Sequence, residues 1–333
     1  MPYYSLEKRK AYADALEQAR AQSPDAGDAL ERAPLPPFRP NARIQAPELY
    51  QPSPELADAV NVALQLGLPL LLTGEPGSGK TQLAEHLAWF FDLGKPLAFT
   101  AQTSSTANDL FYQYDALSHF QYSQNSGELL PPDELERRFI RYRGLGEAIR
   151  RAAASKARSV VLIDEIDKAP RDLPNDVLDA MDKLRFYVAE VDKWYTAEPQ
   201  YRPVIVLTSN SEKNLPDAFL RRVVYFHIEF PDEARMLDIV GSKVSGLPEE
   251  ARAALTAHFY AIRADRGVRL NKYPATAELL QWAAYLQETG FRAAALRNPD
   301  RLSESERKAL KASYAILAKT REDLQTLCKR LED

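Results

Sequence analysis

The chain has 333 residues, 45% hydrophobic and 27% charged, with a formal net charge of −4, which allows an ordinary buried core and about two domains and excludes a surface that is basic overall. The single cysteine, Cys328, excludes an internal disulfide framework and fits a reducing compartment. The N-terminal stretch is charged with no apolar signal core, and the longest apolar run, near residues 68–72, falls far short of the ~20 residues a bilayer span needs, so a cytoplasmic protein without membrane insertion is expected.

Residues 1–33 read as helical with a break at Ser23-Pro24, and PLPPFRP at 34–40 is stiffened by proline's fixed φ. Residues 1–43 therefore form a first segment, a helix and a Pro-rich linker. From 44 to 230 apolar runs at 68–73, 97–100, 159–163, 203–208 and 224–228 alternate with amphipathic stretches. That alternation predicts an α/β domain, a mostly parallel sheet covered by helices on both faces. From 231 to 333 the strand signals stop, and segments such as PEEARAALTAHFYAIRA and TAELLQWAAYLQE carry acidic residues in their first turns, predicting a small all-helical domain.

Within the first domain LLLTGEPGSGKT ends a buried strand and opens a helix. Gly74, Glu75, Pro76, Gly77, Ser78, Gly79, Lys80 and Thr81 fit the pattern Gly-x4-Gly-Lys-Thr. Glycines let several backbone N–H groups turn inward on a phosphate, and the helix N-terminus adds positive potential. Lys80 is placed for the outer phosphates of ATP, and the Thr81 hydroxyl for Mg2+. The following QLAEHLAWFF is expected to set Leu83, Leu87 and Phe90/Phe91 on one helical face.

The run SVVLIDEIDKAP places Asp164 and Glu165 at the carboxyl end of a strand, the edge where open α/β sheets bind ligands. Asp164 is expected to hold Mg2+ through water, and Glu165 to polarise the attacking water as general base. An acidic pair there also suits a simple helix N-cap. In VIVLTSN, Asn210 stands at the tip of a third strand of this type, placed to position a water near the γ-phosphate. Arg221 and Arg222 follow a short helix, too far along to join their own pocket. An arginine offered to a neighbouring subunit stabilises charge in phosphoryl transfer; the plainer alternative is a surface pair at a helix C-terminus.

These motifs in this order resemble the AAA+ ATPases over about residues 44–330. LIDEIDKAPRDLPNDVLDAMDKLRFYV and SNSEKNLPDAFLRRV are similar to the MoxR branch. The resemblance implies a P-loop domain of three α/β/α layers and an all-helical lid. It makes Asn210 the first sensor, and Arg222, with Arg221 beside it, the arginine finger. It further implies a homo-oligomer, usually a hexameric ring, whose sites are completed by the next subunit. A chaperone-like action on a protein client follows, often with a von Willebrand A domain protein. One departure stands out: where relatives carry a second sensor arginine near the start of a lid helix, this chain has Ala277, and Lys272 just upstream is the substitute to consider. Two other readings are an ATP-gated switch of slow turnover that recruits an effector, and a DNA-acting AAA+ protein.

The remaining signals are weaker. Phe111, Tyr112 and Tyr114 in an aromatic stretch suit packing of an insert better than grip on a partner. The stretch 136–158 is basic with interleaved aromatics, but an amphipathic helix with a solvated face is favoured over nucleic-acid binding; Arg143 and Arg150 within it are also placed to face a neighbour's site. The four histidines show no metal-ligand spacing, and His227 is expected to be packed within a strand.

Overall fold

A computed structural model describes residues 6–22, 41–126, 129–210, 215–264 and 270–332. The chain falls into two compact units, Met1–Ala42 and Arg43–Asp333. In the first, α1 (Leu6–Gln22) is built from strong helix formers such as Ala, Leu, Glu, Lys and Arg. The expected break at Ser23-Pro24 and the Pro-rich run 34–40 lie outside the described residues.

The short helix α2 (Ala42–Gln45) runs across the boundary at Ala42, and α3 (Pro54–Leu66) follows in the second unit. The ends of α3 are written in its sequence: the Ser53 side chain accepts from the Leu56 N–H, Pro54 takes the first turn, and Gly67 closes the helix in the left-handed region. Then come β1 (Leu70–Gly74), α4 (Lys80–Phe90), β2 (Leu97–Thr100), β3 (Tyr112–Tyr114), α5 (Ala116–Ser126), α6 (Pro132–Phe139), β4 (Ile140–Tyr142) and α7 (Gly144–Ser155). Next follow β5 (Val160–Asp164), α8 (Leu173–Asp176), α9 (Leu178–Lys183), β6 (Arg185–Val188), β7 (Lys193–Thr196), β8 (Val204–Thr208), α10 (Asp217–Leu220) and β9 (Val224–Ile228). The rest is helical: α11 (Glu233–Lys243), α12 (Glu249–Ala264), α13 (Thr276–Glu288), α14 (Glu304–Ser313) and α15 (Arg321–Lys329).

Among the described residues five strands form one parallel sheet in the order β2-β5-β8-β1-β9. Its strands alternate between two cores, as the period of two demands. Leu70, Leu72, Val160, Leu162 and Val206 pack with α3 and α4. Leu71, Val161, Ile163, Ile205 and Leu207 pack with α7, α8 and α9 on the other face. Burying each such side chain stabilises the fold by about 1.5–3 kcal/mol. This is the three-layer α/β/α arrangement. The C-terminal helices have a separate core around Phe259, Leu279 and Trp282. The expected α/β sheet and the helical region after it are both present.

Three local expectations differ. Leu83 and Leu87 are buried, but Phe90 and Phe91 are 64% and 42% exposed. The buried stripe of α4 instead runs Leu83, Ala84, Leu87, Ala88, and the helix stops at Phe90 before a further turn can bury the rings. The basic stretch 136–158 is not one helix: β4 pairs antiparallel with β3 and splits it into α6 and α7. Phe111 and Tyr112 are buried there, and Phe111 stacks on Phe186 at 5.3 Å. His227 is exposed because β9 is an edge strand, with Nδ1 2.9 Å from Thr73 Oγ1.

Candidate functional site

Parallel strands in register bring their carboxyl ends to one edge. Gly74 lies opposite Ile228, Leu72 opposite Thr208, and Ile163 opposite Leu207. The loop between β1 and α4 leaves this edge. At Gly74, φ is 144°, and a Cβ would stand 2.6 Å from the Ile228 carbonyl oxygen, so a side chain there collides with the β9 backbone. Lys80 is buried, and its Nζ donates to the carbonyls of Gly74 at 2.8 Å and Glu75 at 3.0 Å. Burial pulls its pKa below the ordinary lysine value, against the opposite pull of Asp164, Asp167 and Glu165. A desolvated ammonium at the N-terminus of α4 favours an anion in the loop.

Beside the loop, β5 delivers Asp164 and Glu165. The Thr81 hydroxyl donates to Asp164 Oδ1 at 3.3 Å, and the buried Thr208 hydroxyl donates to the same oxygen. Thr208 Oγ1 also accepts the Glu165 N–H at 3.0 Å. One hydroxyl thus holds both acids across the β5–β8 pair. Sequence reasoning missed Thr208; its only local signal is a polar residue ending the apolar run VIVLT. Glu165 sits at φ 57°, in the left-handed region, and its carboxylate pairs with Lys168 Nζ at 2.6 Å. That pairing raises the Lys168 pKa. Asn210 is exposed two residues past β8, and its N–H donates to Asp167 Oδ1 at 3.2 Å.

A cavity of about 760 Å³ opens from the loop, lined by Tyr50, Ser78, Lys80, Thr81, Thr276 and Leu280 among others. Its wall includes Ile44, Leu49, Tyr50 and Gln51, from a segment that sequence reasoning had given no role. Gln82 of α4 donates to the Ile44 carbonyl at 3.1 Å, and His86 Nδ1 lies 2.9 Å from the Pro47 carbonyl oxygen. From α11, Lys243 donates to the carbonyls of Ile44 and Ala46 at 3.0 and 3.2 Å, and Arg235 to that of Gln51 at 3.1 Å. This segment therefore joins the sheet domain to the C-terminal helices. Burial pushes the Tyr50 phenol well above its usual range.

The helical region also meets the loop directly. A Cβ at Gly77, whose φ is 79°, would lie 3.1 and 3.3 Å from the methyl groups of Ala275 and Ala277. Arg263 of α12 donates from Nη2 to Glu75 at 3.0 and 3.2 Å, a contact that no spacing rule suggests. Lys272 is exposed, and its N–H donates to the buried Asp323 at 3.2 Å; it does not line the cavity. Arg221 and Arg222 are exposed after α10, and Arg222 Nε lies 3.8 Å from Asp182 Oδ2. In the former basic stretch Arg150 and Arg151 pair with Glu147, Arg138 with Glu134, and Arg143 with Gln113.

The donor set suits a Mg2+–nucleotide. Thr81 and Asp164 supply two adjacent oxygens, while among the described residues no cluster of three or more His, Cys, Asp or Glu stands ready to cage a metal. Mg2+ is held in this way, by one or two protein oxygens with waters and phosphates completing its shell. The cavity volume lies within the range of small-molecule sites.

Residues 69–223 match the family model described as AAA domain (dynein-related subfamily). Among solved structures, the chain is similar to one titled "Crystal structure of FIGL-1 AAA domain in complex with ADP", at 15% identity, covering 78% of this chain and 76% of that one, with a TM-score of 0.41. No curated protein sequence matches. Among the described residues no helix is long and apolar enough to cross a membrane.

Proposed function

We propose that this chain is an AAA+ ATPase that binds and hydrolyses MgATP at subunit interfaces of a ring, as a chaperone-like remodeller of the MoxR type. The observation that carries the reading is the convergence of Lys80, Thr81, Asp164 and Glu165 at one sheet edge, with a single threonine hydroxyl fixing both acids. Gly74 to Thr81 wrap the phosphates. Lys80 leaves the carbonyls of Gly74 and Glu75 for the outer phosphate oxygens. Thr81 and Asp164 would hold Mg2+, which when bound would neutralise charge on the phosphates. Glu165 orients and deprotonates water, with Asn210 placed beside the acids. Arg222, with Arg221 next to it, reaches a neighbour's nucleotide. We divide the chain accordingly at about 43 and 230, into an N-terminal segment, an AAA+ domain and a lid. A hexamer acting on a client, with a von Willebrand A domain protein as partner, completes the reading.

One observation favours a second reading, a slowly hydrolysing ATP-gated switch: the Glu165 carboxylate is already engaged by Lys168. Steady-state ATPase rate against protein concentration, for wild type and Glu165→Gln, with mass measured in parallel with and without MgATP, separates the two. The motor reading expects a rate per subunit that rises with concentration, a shift to ring mass, and a Glu165→Gln ring without turnover. Assembly with turnover negligible in both proteins selects the switch. A wild type that neither assembles nor hydrolyses refutes the ring ATPase.

A further inference from the structure

An uncovered sheet edge presents a row of unpaired N–H and C=O groups, a template for another chain. β2 is such an edge, because it pairs with β5 alone. The Ala101 N–H donates to the Asp164 carbonyl at 2.9 Å, so by the period of two Leu97 and Phe99 also direct their backbone groups to β5. The N–H and C=O of Ala98 and Thr100 therefore point the other way. Both residues are exposed, and among the described residues nothing bonds to them on that side. A trough of about 790 Å³ runs there, lined by Thr100, Gln102, Asp109, Tyr142, Arg143 and Glu147 among others. Its charges are unequal. Asp109 is turned onto Thr106, accepting from its N–H and its hydroxyl at 2.8 Å each, and Glu147 is paired with Arg150 and Arg151. Arg143 is exposed and donates to the neutral amide of Gln113. Lys95, beside Pro96 at the head of the strand, is exposed and has no ion pair among the described residues. The cations at this edge, Lys95, Arg143, Arg150 and Arg151, thus outnumber the carboxylates, Asp109 and Glu147.

We propose that the outer edge of β2 takes an extended, acidic segment of a partner protein as a sixth strand, its main chain bonding to Ala98 and Thr100 and its carboxylate meeting Arg143. The proposal goes beyond the nucleotide-site reading and does not depend on it. In strand addition the main-chain bonds supply affinity, and the surroundings of alternate side chains supply selection. The trough gives an added strand room, and Arg143 gives it a charge to read. A guanidinium fork accepts a carboxylate in two parallel bonds and binds it more strongly than a neutral amide, so exchange of Gln113 for an acidic side chain is favourable. A basic segment meets Lys95 and Arg143 with like charge and is rejected. Pro96, which has no N–H, ends the usable edge on one side, so pairing is confined to the four residues of β2 beside Arg143.

The test uses the full chain and two fluorescent heptapeptides that alternate threonine and valine around a central glutamate or a central lysine, titrated by anisotropy. Wild type is expected to bind the glutamate peptide with a Kd below about 1 mM, and at least about 10-fold more tightly than the lysine peptide. The bound glutamate peptide should slow amide exchange at Ala98 and Thr100, whose N–H groups are otherwise open to water. Arg143→Ala should bring the two peptides within about 2-fold of each other. Thr100→Pro deletes one outward N–H while the bonds to β5, made by the alternate residues, stay whole, so it should weaken both peptides by about 10-fold or more. No saturable binding to wild type, equal affinity for the two peptides, or a Thr100→Pro protein that binds as wild type does overturns the proposal. If Thr100→Pro fails to fold by thermal melt, amide exchange in wild type decides, and exchange at Ala98 and Thr100 that is unaltered with peptide bound overturns it. Exchange already slow without peptide, and slower as protein concentration rises, identifies the occupant as a second copy of this chain and overturns the partner protein.

Discussion

Thr208→Val is the sharpest probe of the acid pair. Valine keeps the shape of threonine and suits a buried strand, so the change removes a hydroxyl and little else. That hydroxyl is 1% exposed, donates to Asp164 Oδ1, and accepts the Glu165 N–H at 3.0 Å. Its loss leaves a carboxylate without one donor and a partly buried N–H without its acceptor, each costing about 1–3 kcal/mol. Glu165 also sits at φ 57°, where a β-carbon is unfavourable, and the N–H bond to Thr208 helps to hold it there. The expected fall in folding stability is about 2 kcal/mol by urea denaturation. If a similar free energy is lost in the transition state, kcat drops about 30-fold, with KM for ATP changed by less than about 3-fold because the phosphate loop is untouched. Thr208→Ser, which retains the hydroxyl, should recover most of both. A Thr208→Val protein that melts and turns over ATP as wild type does would refute the idea that this hydroxyl holds the two acids.

Other outcomes follow from the same structure. His258 is half-buried against Trp282 and Tyr314 in the helical core, and desolvation, with the nearby charge of Arg330, pulls its pKa from 6.5 to about 4. Between those values the unfolded chain binds the extra proton, so this contribution to stability is complete above about 6.5 and is lost as the pH falls toward 4; its size is about 3 kcal/mol, and urea titrations at pH 7.5 and 4.5 should show it vanish in His258→Gln. Gly74→Ala puts a Cβ 2.6 Å from the Ile228 carbonyl at a φ of 144°, and a destabilisation of 2 kcal/mol or more is expected by thermal melt; a wild-type melting temperature would mean that β1 and β9 part easily. Arg222→Ala should assemble normally by mass measurement yet lose about 1000-fold in ATPase rate, and wild-type turnover in a stable ring would remove it from the site. Lys80→Ala should abolish binding of both ADP and ATPγS, and unchanged affinity would contradict the phosphate loop.

What the amino-acid order determined by itself was local. The sheet strands, the turn from Gly74 to Lys80 and the acids after Ile163 are contiguous patterns. Burial on both faces of a parallel sheet demands continuous apolar runs, and a phosphate loop demands glycines between a strand and a helix, so both are legible without any tertiary contact. That the sheet is mostly parallel followed from the alternation of strands with helices, whereas its register came only with the folded structure. Exposure was less legible: Phe90, Phe91 and His227 stand at a helix end and on an edge strand, where periodicity no longer says what covers a side chain. Tertiary structure alone decided the contacts between distant segments. Thr208 reaches Asp164 across 44 residues, Arg263 reaches Glu75 across 188, and Lys243 reaches Ile44 across 199. No spacing rule connects such residues. Their meeting depends on strand order and on how the C-terminal helices pack over the carboxyl edge of the sheet, and a single guanidinium or hydroxyl acquires its partner only once those surfaces have closed.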